Sequence, residues 1–219
     1  MNSFLNNEFQ GFVHRGDTSV FLENTIEAFQ SAVSLGYQYL ETDLRETADG
    51  KIITFHDPNL KRITGANITI SETKFSDIRM RRLPSRETIP TIDELLEEFP
   101  DSFFNMDLKV SHIEEKVLRK INSHNALERV CLGSFNSRTI KKINALEPKI
   151  LTSLGISQVI MYKFFWKKTY SKLIQIPTSR YGIKVVTKNF IDRLHKDGYK
   201  VHVWTCLLYT SDAADEGLG

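Results

Sequence analysis

The chain has 219 residues, of which 41% are hydrophobic and 26% are charged, and its formal net charge is +2 at pH 7. This composition is typical of a globular protein with one large core, and so small a charge gives no basic surface for nonspecific nucleic-acid binding. Two cysteines, Cys131 and Cys206, are too few for a disulfide framework. No apolar run is long enough to span a bilayer, and the first residues lack the pattern of a signal peptide. We therefore expect a cytoplasmic protein.

Strand-like runs recur along the chain, and helical segments separate most of them. We expect strands at residues 12–14, 39–44, 51–56, 103–109, 130–135, 150–155, about 174–176, and 201–205. Such an alternation is typical of an α/β fold with a largely parallel sheet. The connection between the second and third strands is too short for a helix and contains Ala48-Asp49-Gly50, a turn signal typical of hairpins. The sequence leaves open whether these strands run antiparallel or the chain doubles back through a loop.

Three residue pairs have the spacing of a capping box and predict helix starts. They are Asn24 with Glu27, Thr91 with Glu94, and Ser111 with Glu114. In a capping box the first side chain accepts a hydrogen bond from a free backbone amide of the first helical turn. Two glycines, Gly36 and Gly198, predict helix ends.

Polar side chains gather at the ends of the first three expected strands. Side chains two residues apart on a strand share a face, so Glu41 and Asp43 aim at the same volume, as two oxygen ligands of a hard cation must. The predicted reversal brings His56 beside them, and His14 ends the strand before. Together with Arg15, these residues outline a metal-assisted phosphate site.

The placement of these residues predicts a (β/α)8 TIM-type barrel. In such barrels the chemistry lies at the C-terminal ends of the strands. Here His14, His56 and Lys109 end their strands, and Asp107 lies within the last residues of its own. About 250 residues is typical for this fold and about 200 is its lower limit. Once residues 206–219 are set aside as a non-native tail, residues 1–205 remain, and we expect a barrel that is incomplete at its C-terminus, having lost its last strand or helix.

The last residues call for a separate interpretation. The string CLLYTSDAADE, residues 206–216, resembles the read-through translation of a transposase adapter used in DNA library preparation. Segments of this kind are excluded from fold reasoning. We therefore expect one barrel domain over residues 1–205 and a non-native tail over residues 206–219.

Short motifs along the chain resemble those of the glycerophosphodiester phosphodiesterase family, part of the phospholipase-C-like barrel group. The first five are His14-Arg15-Gly16, Glu23-Asn24-Thr25, Glu41-Thr42-Asp43, Thr47-Ala48-Asp49-Gly50 and His56-Asp57, and the later ones are Ile89-Pro90-Thr91, Asn105-Met106-Asp107-Leu108-Lys109, Ser134-Phe135 and Val203-Trp204-Thr205. Each motif alone is weak, but the ordered set is specific. The chain departs from the family in having Leu22 in place of proline and Asp107 in place of the commoner glutamate.

The resemblance implies a metal-dependent hydrolase that converts glycerophosphodiesters to glycerol 3-phosphate and an alcohol. The resemblance implies that His14 and His56 act as general acid and base, and that Glu41, Asp43 and Asp107 bind one divalent cation, Ca²⁺ or Mg²⁺. It implies substrate-binding roles for Arg15, Lys109 and Trp204. It also implies supporting roles for Gly16, Glu23 and Asn24. Which histidine is the acid and which the base stays open.

Each of these residues also has a plain structural interpretation. The two carboxylates of the second strand could form a solvated face or pair with Arg45 or Lys51. Arg15 and Lys109 could simply neutralise neighbouring carboxylates, and Gly16 could be an ordinary turn glycine. Capping alone would account for Asn24, and packing alone would account for Trp204.

Other functions are consistent with part of the pattern. A related barrel enzyme, such as a lysophospholipase D or a lyase of phosphoinositides or sphingolipids, is one alternative, and an inactive truncated barrel that only binds ligand is another. The segment Met161–Lys172 mixes aromatic and basic residues and could contact a membrane. We expect a small glycerophosphodiester or a lysophospholipid as substrate and no nucleic-acid partner, and the sequence leaves the oligomeric state open.

Overall fold

The computed structural model of the protein describes residues 3–5, 11–81, 83, 87–154, 159, 162, 171, 173–180 and 183–204. The chain divides into two compact units, Met1–Thr152 and Ser153–Gly219. The expected tail over residues 206–219 lies outside the described residues, as does most of the aromatic and basic segment over residues 161–172.

A mostly parallel sheet organises the first unit. Its strands are β1 (Phe12–His14), β2 (Tyr39–Glu46), β3 (Ile52–Thr54), β4 (Phe103–Leu108), β5 (Val130–Gly133) and β6 (Leu151–Thr152). The strand order β1-β2-β4-β5-β6 is parallel throughout, and β3 pairs with β2 in antiparallel orientation. The α/β prediction is therefore confirmed, and of the two routes that the sequence left open after residues 48–50, the structure has the antiparallel pair. The strands are shorter at several ends than the apolar runs suggest, and β2 is longer.

Helices follow most strands of this unit. They are α1 (Ile26–Ser34), α2 (Lys61–Thr64), α3 (Phe75–Met80), α4 (Ile92–Glu98), α5 (Glu114–Ser123) and α6 (Ser137–Leu146), with short 3-10 helices at Ser3–Leu5 and Ile70–Glu72. The capping box of Thr91 and Glu94 at the start of α4 is confirmed. Gly36, with φ of +91°, follows the end of α1 as predicted.

Two of the predicted caps are wrong, because tertiary contacts take the side chains. Thr25, not Asn24, caps α1 by accepting a hydrogen bond from the amide of Ala28. The α5 helix begins after Ile113 without a side-chain cap, and the Ser111 hydroxyl instead accepts a hydrogen bond from Asn136 at 3.1 Å.

Two separate cores hold the first unit. The larger one packs the helices against the sheet, with Phe29, Leu40 and Phe104 fully buried. The smaller one lies in the segment between β3 and α4, where Leu60 and Ile78 are each about 1% exposed. Burial of these apolar side chains fixes the segment that follows His56.

The second unit contains β7 (Leu173–Pro177) parallel to β10 (Lys200–Trp204), a two-stranded pair of β8 (Ser179–Arg180) and β9 (Ile183–Lys184), and the helix α7 (Lys188–Lys196). Thr187 caps α7 and Gly198 follows its end. No helix in the described part of either unit is long and apolar enough to cross a membrane.

Candidate active site

A strained turn after β1 begins the site. Arg15 and Gly16 have φ of +61° and +84°, in the left-handed region that favours glycine. A Cβ atom on Gly16 would lie 2.6 Å from the Cβ of Ala28 and 2.8 Å from its carbonyl carbon. Glycine is therefore required here because the turn packs directly on α1, a constraint beyond that of an ordinary turn glycine.

The register of the sheet places the predicted acidic residues side by side. His14 lies opposite Glu41, Glu41 opposite Asn105, and Asp43 opposite Asp107. Residues paired across neighbouring strands share a face of the sheet, so β1, β2 and β4 present these groups together. The solvated-face alternative is wrong for Asp43, which is 1% exposed.

Two cations hold Asp43. Its Oδ2 lies 3.0 Å from Arg15 Nε and accepts a hydrogen bond from Asn24 Nδ2 at 3.0 Å, and its Oδ1 lies 2.9 Å from Lys109 Nζ. Lys109 Nζ also lies 2.6 Å from Asp107 Oδ2. Burial opposes ionisation of Asp43, but the charges of Lys109 and Arg15 outweigh it and keep the pKa of that carboxyl below its ordinary value.

Glu41 has no such partner. Its Oε2 is buried and accepts no hydrogen bond from any residue that the structure describes, and His14 Nε2 lies 3.8 Å away. Burial, and then the negative charges of Asp43 and Asp107, raise the pKa of Glu41 well above its ordinary value. The buried Oδ1 of Asn105, the neighbour of Glu41 across the sheet, likewise accepts no hydrogen bond from the described residues.

We call Glu41, Asp43, Asp107, Arg15 and Lys109 the inner cluster. Among the described residues, no three acidic, histidine or cysteine side chains stand in a ready arrangement for a metal ion. The donor set nevertheless fits a hard divalent cation, since three carboxylates lie close together and the buried Oε2 of Glu41 accepts no hydrogen bond from the described residues. The assignment of these three residues as ligands stays a prediction.

His14 borders the inner cluster. Burial, followed by the charge of Arg15, lowers the pKa of His14 to about 4. Both effects disfavour the imidazolium ion. The His14 ring is therefore neutral at neutral pH and can accept a proton.

His56 belongs to a second set of linked charges. Its Nδ1 lies 2.7 Å from Asp57 Oδ1, and Asp57 Oδ2 accepts a hydrogen bond from Arg62 Nε at 2.6 Å. Arg62 then reaches both oxygens of Glu23, at 3.0 and 2.6 Å, and Glu23 accepts a hydrogen bond from Arg15 Nη1 at 3.1 Å. We call His56, Asp57, Arg62 and Glu23 the outer chain. It meets the inner cluster at Arg15.

Asn24 braces the junction of the two sets. It is 1% exposed and has φ of +59°, an uncommon conformation for a residue other than glycine. Its side chain accepts a hydrogen bond from the hydroxyl of Thr42 at 2.7 Å and donates one to Asp43. Its backbone carbonyl oxygen accepts a hydrogen bond from the hydroxyl of Thr54 at 2.8 Å. The contacts of Asn24 therefore fix the position of Asp43.

The first unit thus brings together all the predicted site residues except Trp204. That residue ends β10 in the second unit, and its side chain lies outside the described residues. Glu41 and Asp43 do not pair with Arg45 or Lys51, the alternative partners considered for them. Arg45 Nε instead donates to the backbone carbonyl oxygen of His56 at 2.7 Å, and Lys51 is exposed. In this structure Arg15 and Lys109 neutralise carboxylates, the plain role considered for them.

Three residues of the site received no role from the sequence. A role for Asp57 could have been predicted from the sequence, because an acid next to a strand-end histidine can orient the histidine ring. Asn105 lies on the same face of β4 as Asp107 by the alternation of the strand. No sequence pattern predicts a role for Arg62, since it lies in a short polar helix and its contact, Glu23, is 39 residues away along the chain.

The amino-acid sequence is similar to that of a known protein family and its members. Residues 14–217 match the Glycerophosphoryl diester phosphodiesterase family. A Mycobacterium tuberculosis protein named "Probable glycerophosphodiester phosphodiesterase 2" is 31% identical over 204 residues, which cover 88% of this chain and 77% of that protein. A Mus musculus protein named "Lysophospholipase D GDPD1" is 30% identical over 206 residues, covering 84% of this chain and 65% of that protein. The chain thus spans about two thirds to three quarters of these relatives.

Solved structures show the same fold. The glycerophosphodiester phosphodiesterase of Thermotoga maritima superposes with a TM-score of 0.73 at 22% identity, covering 91% of this chain and 87% of that one. A phosphodiesterase of Oleispira antarctica, in complex with the product sn-glycerol-3-phosphate, gives a TM-score of 0.72 at 23% identity, covering 90% and 84%. These neighbours are TIM barrels, so the predicted fold class is confirmed.

Proposed function

Because the chain belongs to the glycerophosphoryl diester phosphodiesterase family of hydrolases, we propose that it hydrolyses glycerophosphodiesters to glycerol 3-phosphate and an alcohol. The observation that carries the proposal is the pairing of a carboxylate-rich inner cluster with two histidines at the ends of neighbouring strand segments. The product bound to the Oleispira antarctica neighbour has the chemistry expected of this reaction.

Glu41, Asp43 and Asp107 are the residues that would hold one divalent cation, Ca²⁺ or Mg²⁺. A bound cation would offset the burial and the repulsion that raise the pKa of Glu41, and it would stabilise negative charge on the phosphate as a Lewis acid. Their oxygen donors suit both ions.

Arg15 and Lys109 would bind the phosphodiester. Arginine offers a planar fork of donors and lysine a compact charge, and both suit phosphate oxygens. Each is already oriented by Asp43, which Arg15 approaches at 3.0 Å and Lys109 at 2.9 Å. Substrate would therefore meet positive groups that need little reorganisation.

The two histidines would move the protons. His14, neutral at neutral pH, would accept the proton of the attacking hydroxyl or water as its oxygen bonds to phosphorus. The bond from phosphorus to the alcohol oxygen breaks, and His56 would donate a proton to that oxygen. Asp57 on Nδ1 fixes the ring of His56 so that Nε2 remains for this step.

A second candidate is release of the alcohol from lysophospholipids. It is supported by the relatives of mouse and human that are named lysophospholipase D, which are 30% and 34% identical to this chain. The chemistry at phosphorus would be the same, and only the group beyond the diester would differ.

A substrate panel tests the proposal. The purified chain is offered glycerophosphocholine, glycerophosphoethanolamine and lysophosphatidylcholine, with and without Mg²⁺, Ca²⁺ and excess chelator, and phosphorus products are followed by ³¹P NMR. We expect glycerol 3-phosphate from the water-soluble diesters, and loss of turnover in chelator that added metal restores. A stable cyclic phosphate as the end product would indicate a lyase instead, and no turnover with any metal would contradict the proposal. The His56→Gln variant serves as the inactive control.

A further inference from the structure

We infer that Arg62 is a positioning residue that couples the proton-donating side of the site to its phosphate-binding side. The inference rests on the proposed function, because it assigns a role within that reaction. Arg62 itself is half exposed and does not need to touch substrate. It would act through Asp57 on His56 and through Glu23 on Arg15.

The first step is the geometry of the guanidinium group. Arg62 Nε lies 2.6 Å from Asp57 Oδ2, Nη1 lies 3.0 Å from Glu23 Oε2, and Nη2 lies 2.6 Å from Glu23 Oε1. Three donors of one planar group thus serve two carboxylates at once, with a two-point contact to Glu23. Such paired contacts fix direction as well as distance, which a point charge does not.

The second step is that both carboxylates have another partner in the site. Asp57 holds His56 Nδ1 at 2.7 Å, and Glu23 holds Arg15 Nη1 at 3.1 Å. The side chains of Asp57 and Glu23 are only 20% and 16% exposed. An isolated exposed ion pair is worth little, but a network in which each member has two partners restricts the orientation of all.

The third step is the placement of Arg62 by the residues that precede it. The helix α2 begins beside Leu60, which is 1% exposed, and ends at Gly65 with φ of +76°. Asn59 Oδ1 accepts a hydrogen bond from the amide of Lys61 at 3.0 Å and supports the start of the helix. The residues of α2 are not themselves buried, so the backbone of Arg62 is positioned by the buried Leu60 and by the Asn59 hydrogen bond that precede it, and its side chain bridges Asp57 and Glu23.

Loss of the bridge has a specific consequence. Asp57 would keep only His56 as a partner and could rotate with it, and Glu23 would be free to draw Arg15 away from Asp43. Both changes misplace groups that act on the reacting phosphate without removing any of them. We therefore expect a loss in kcat greater than the change in KM, since the alignment matters most in the transition state.

The test compares Arg62→Met and Arg62→Lys with a matched control, Arg79→Met. Arg79 is also about half exposed and forms one ion pair, with Glu94 at 2.7 Å, outside the site. We expect Arg62→Met to lower kcat by about 10-fold to 100-fold, the usual range for residues that orient a site group, with KM changed by less than about 3-fold. Arg62→Lys should recover little, and Arg79→Met should keep wild-type kinetics.

Two further measurements make the outcome decisive. Asp57→Asn and Arg62→Met should be non-additive in the double variant, because they break the same link. Soluble methylguanidinium should partly restore turnover of Arg62→Ala. Wild-type kcat in Arg62→Met, or a loss fully explained by a lower Tm with full activity per folded molecule, would overturn the inference.

A spectroscopic measurement separates this inference from the proposed function. The ¹⁵N signals of the His56 ring should change in Arg62→Met and stay unchanged in Arg79→Met. If the wild-type chain turned over no diester, the proposed function would fail, and the His56 spectrum alone would decide whether Arg62 positions that ring. An unchanged His56 spectrum in Arg62→Met would overturn the role of Arg62.

Discussion

The inner cluster and the outer chain meet at Arg15 but differ in how completely their charges are satisfied. In the outer chain every carboxylate has two partners, from His56 through Arg62 to Arg15. In the inner cluster Asp43 is held by two cations, whereas the buried Oε2 of Glu41 accepts no hydrogen bond from the described residues. From this difference we propose that the outer chain is organised before substrate arrives, and that a divalent cation would complete the inner cluster.

The largest expected effect tests the division of labour between the two histidines. We expect His56→Gln and His14→Gln each to lower kcat by about 10²-fold to 10⁴-fold, because each removes one proton transfer. The measurement is steady-state release of glycerol 3-phosphate, with Tm as a check on folding. Wild-type kcat in either variant would exclude that histidine from the proton transfers.

The next effect contrasts two carboxylates of the same strand. Asp43→Asn should destabilise the metal-free protein by about 3 kcal/mol, because it leaves the buried charges of Arg15 and Lys109 without their shared partner. Glu41→Gln should stabilise it by up to about 1 kcal/mol, because it removes a carboxylate whose charge is disfavoured by burial and then by the neighbouring acids. Urea unfolding in chelator measures both values. Equal destabilisation by the two variants would erase the contrast between them.

The smallest effect concerns the protonation of His14. Because its pKa in the folded chain is about 4, below the ordinary value of 6.5, the folded state binds fewer protons than the unfolded state between these pH values. Folding stability should therefore fall as the pH drops from about 6.5 to 4, and His14→Gln should reduce that fall. An NMR titration of the His14 ring in metal-free protein gives the pKa directly, and a midpoint near 6.5 would contradict the burial assigned to it.

The sequence predicts much of this arrangement because its signals are local. The two-residue spacing of Glu41 and Asp43 and the turn before β3 suffice to gather the acidic groups near His14 and His56. The Asn24 cap was mispredicted, because a buried contact with Asp43 outweighs the local preference for capping. Arg62 was missed because its bond to Glu23 spans 39 residues and no pattern along the chain encodes that pairing.

The central claim, that the inner cluster is completed by a divalent cation, is tested most directly by calorimetric titration of Mg²⁺ and Ca²⁺ into the metal-free chain. We predict one ion per chain, with release of protons on binding because the pKa of Glu41 is raised without metal. Glu41→Gln should abolish binding, and the control Glu46→Gln, on the same strand but paired with His112 and Lys116, should retain it. Absence of saturable binding, or identical binding by Glu41→Gln, would contradict the account.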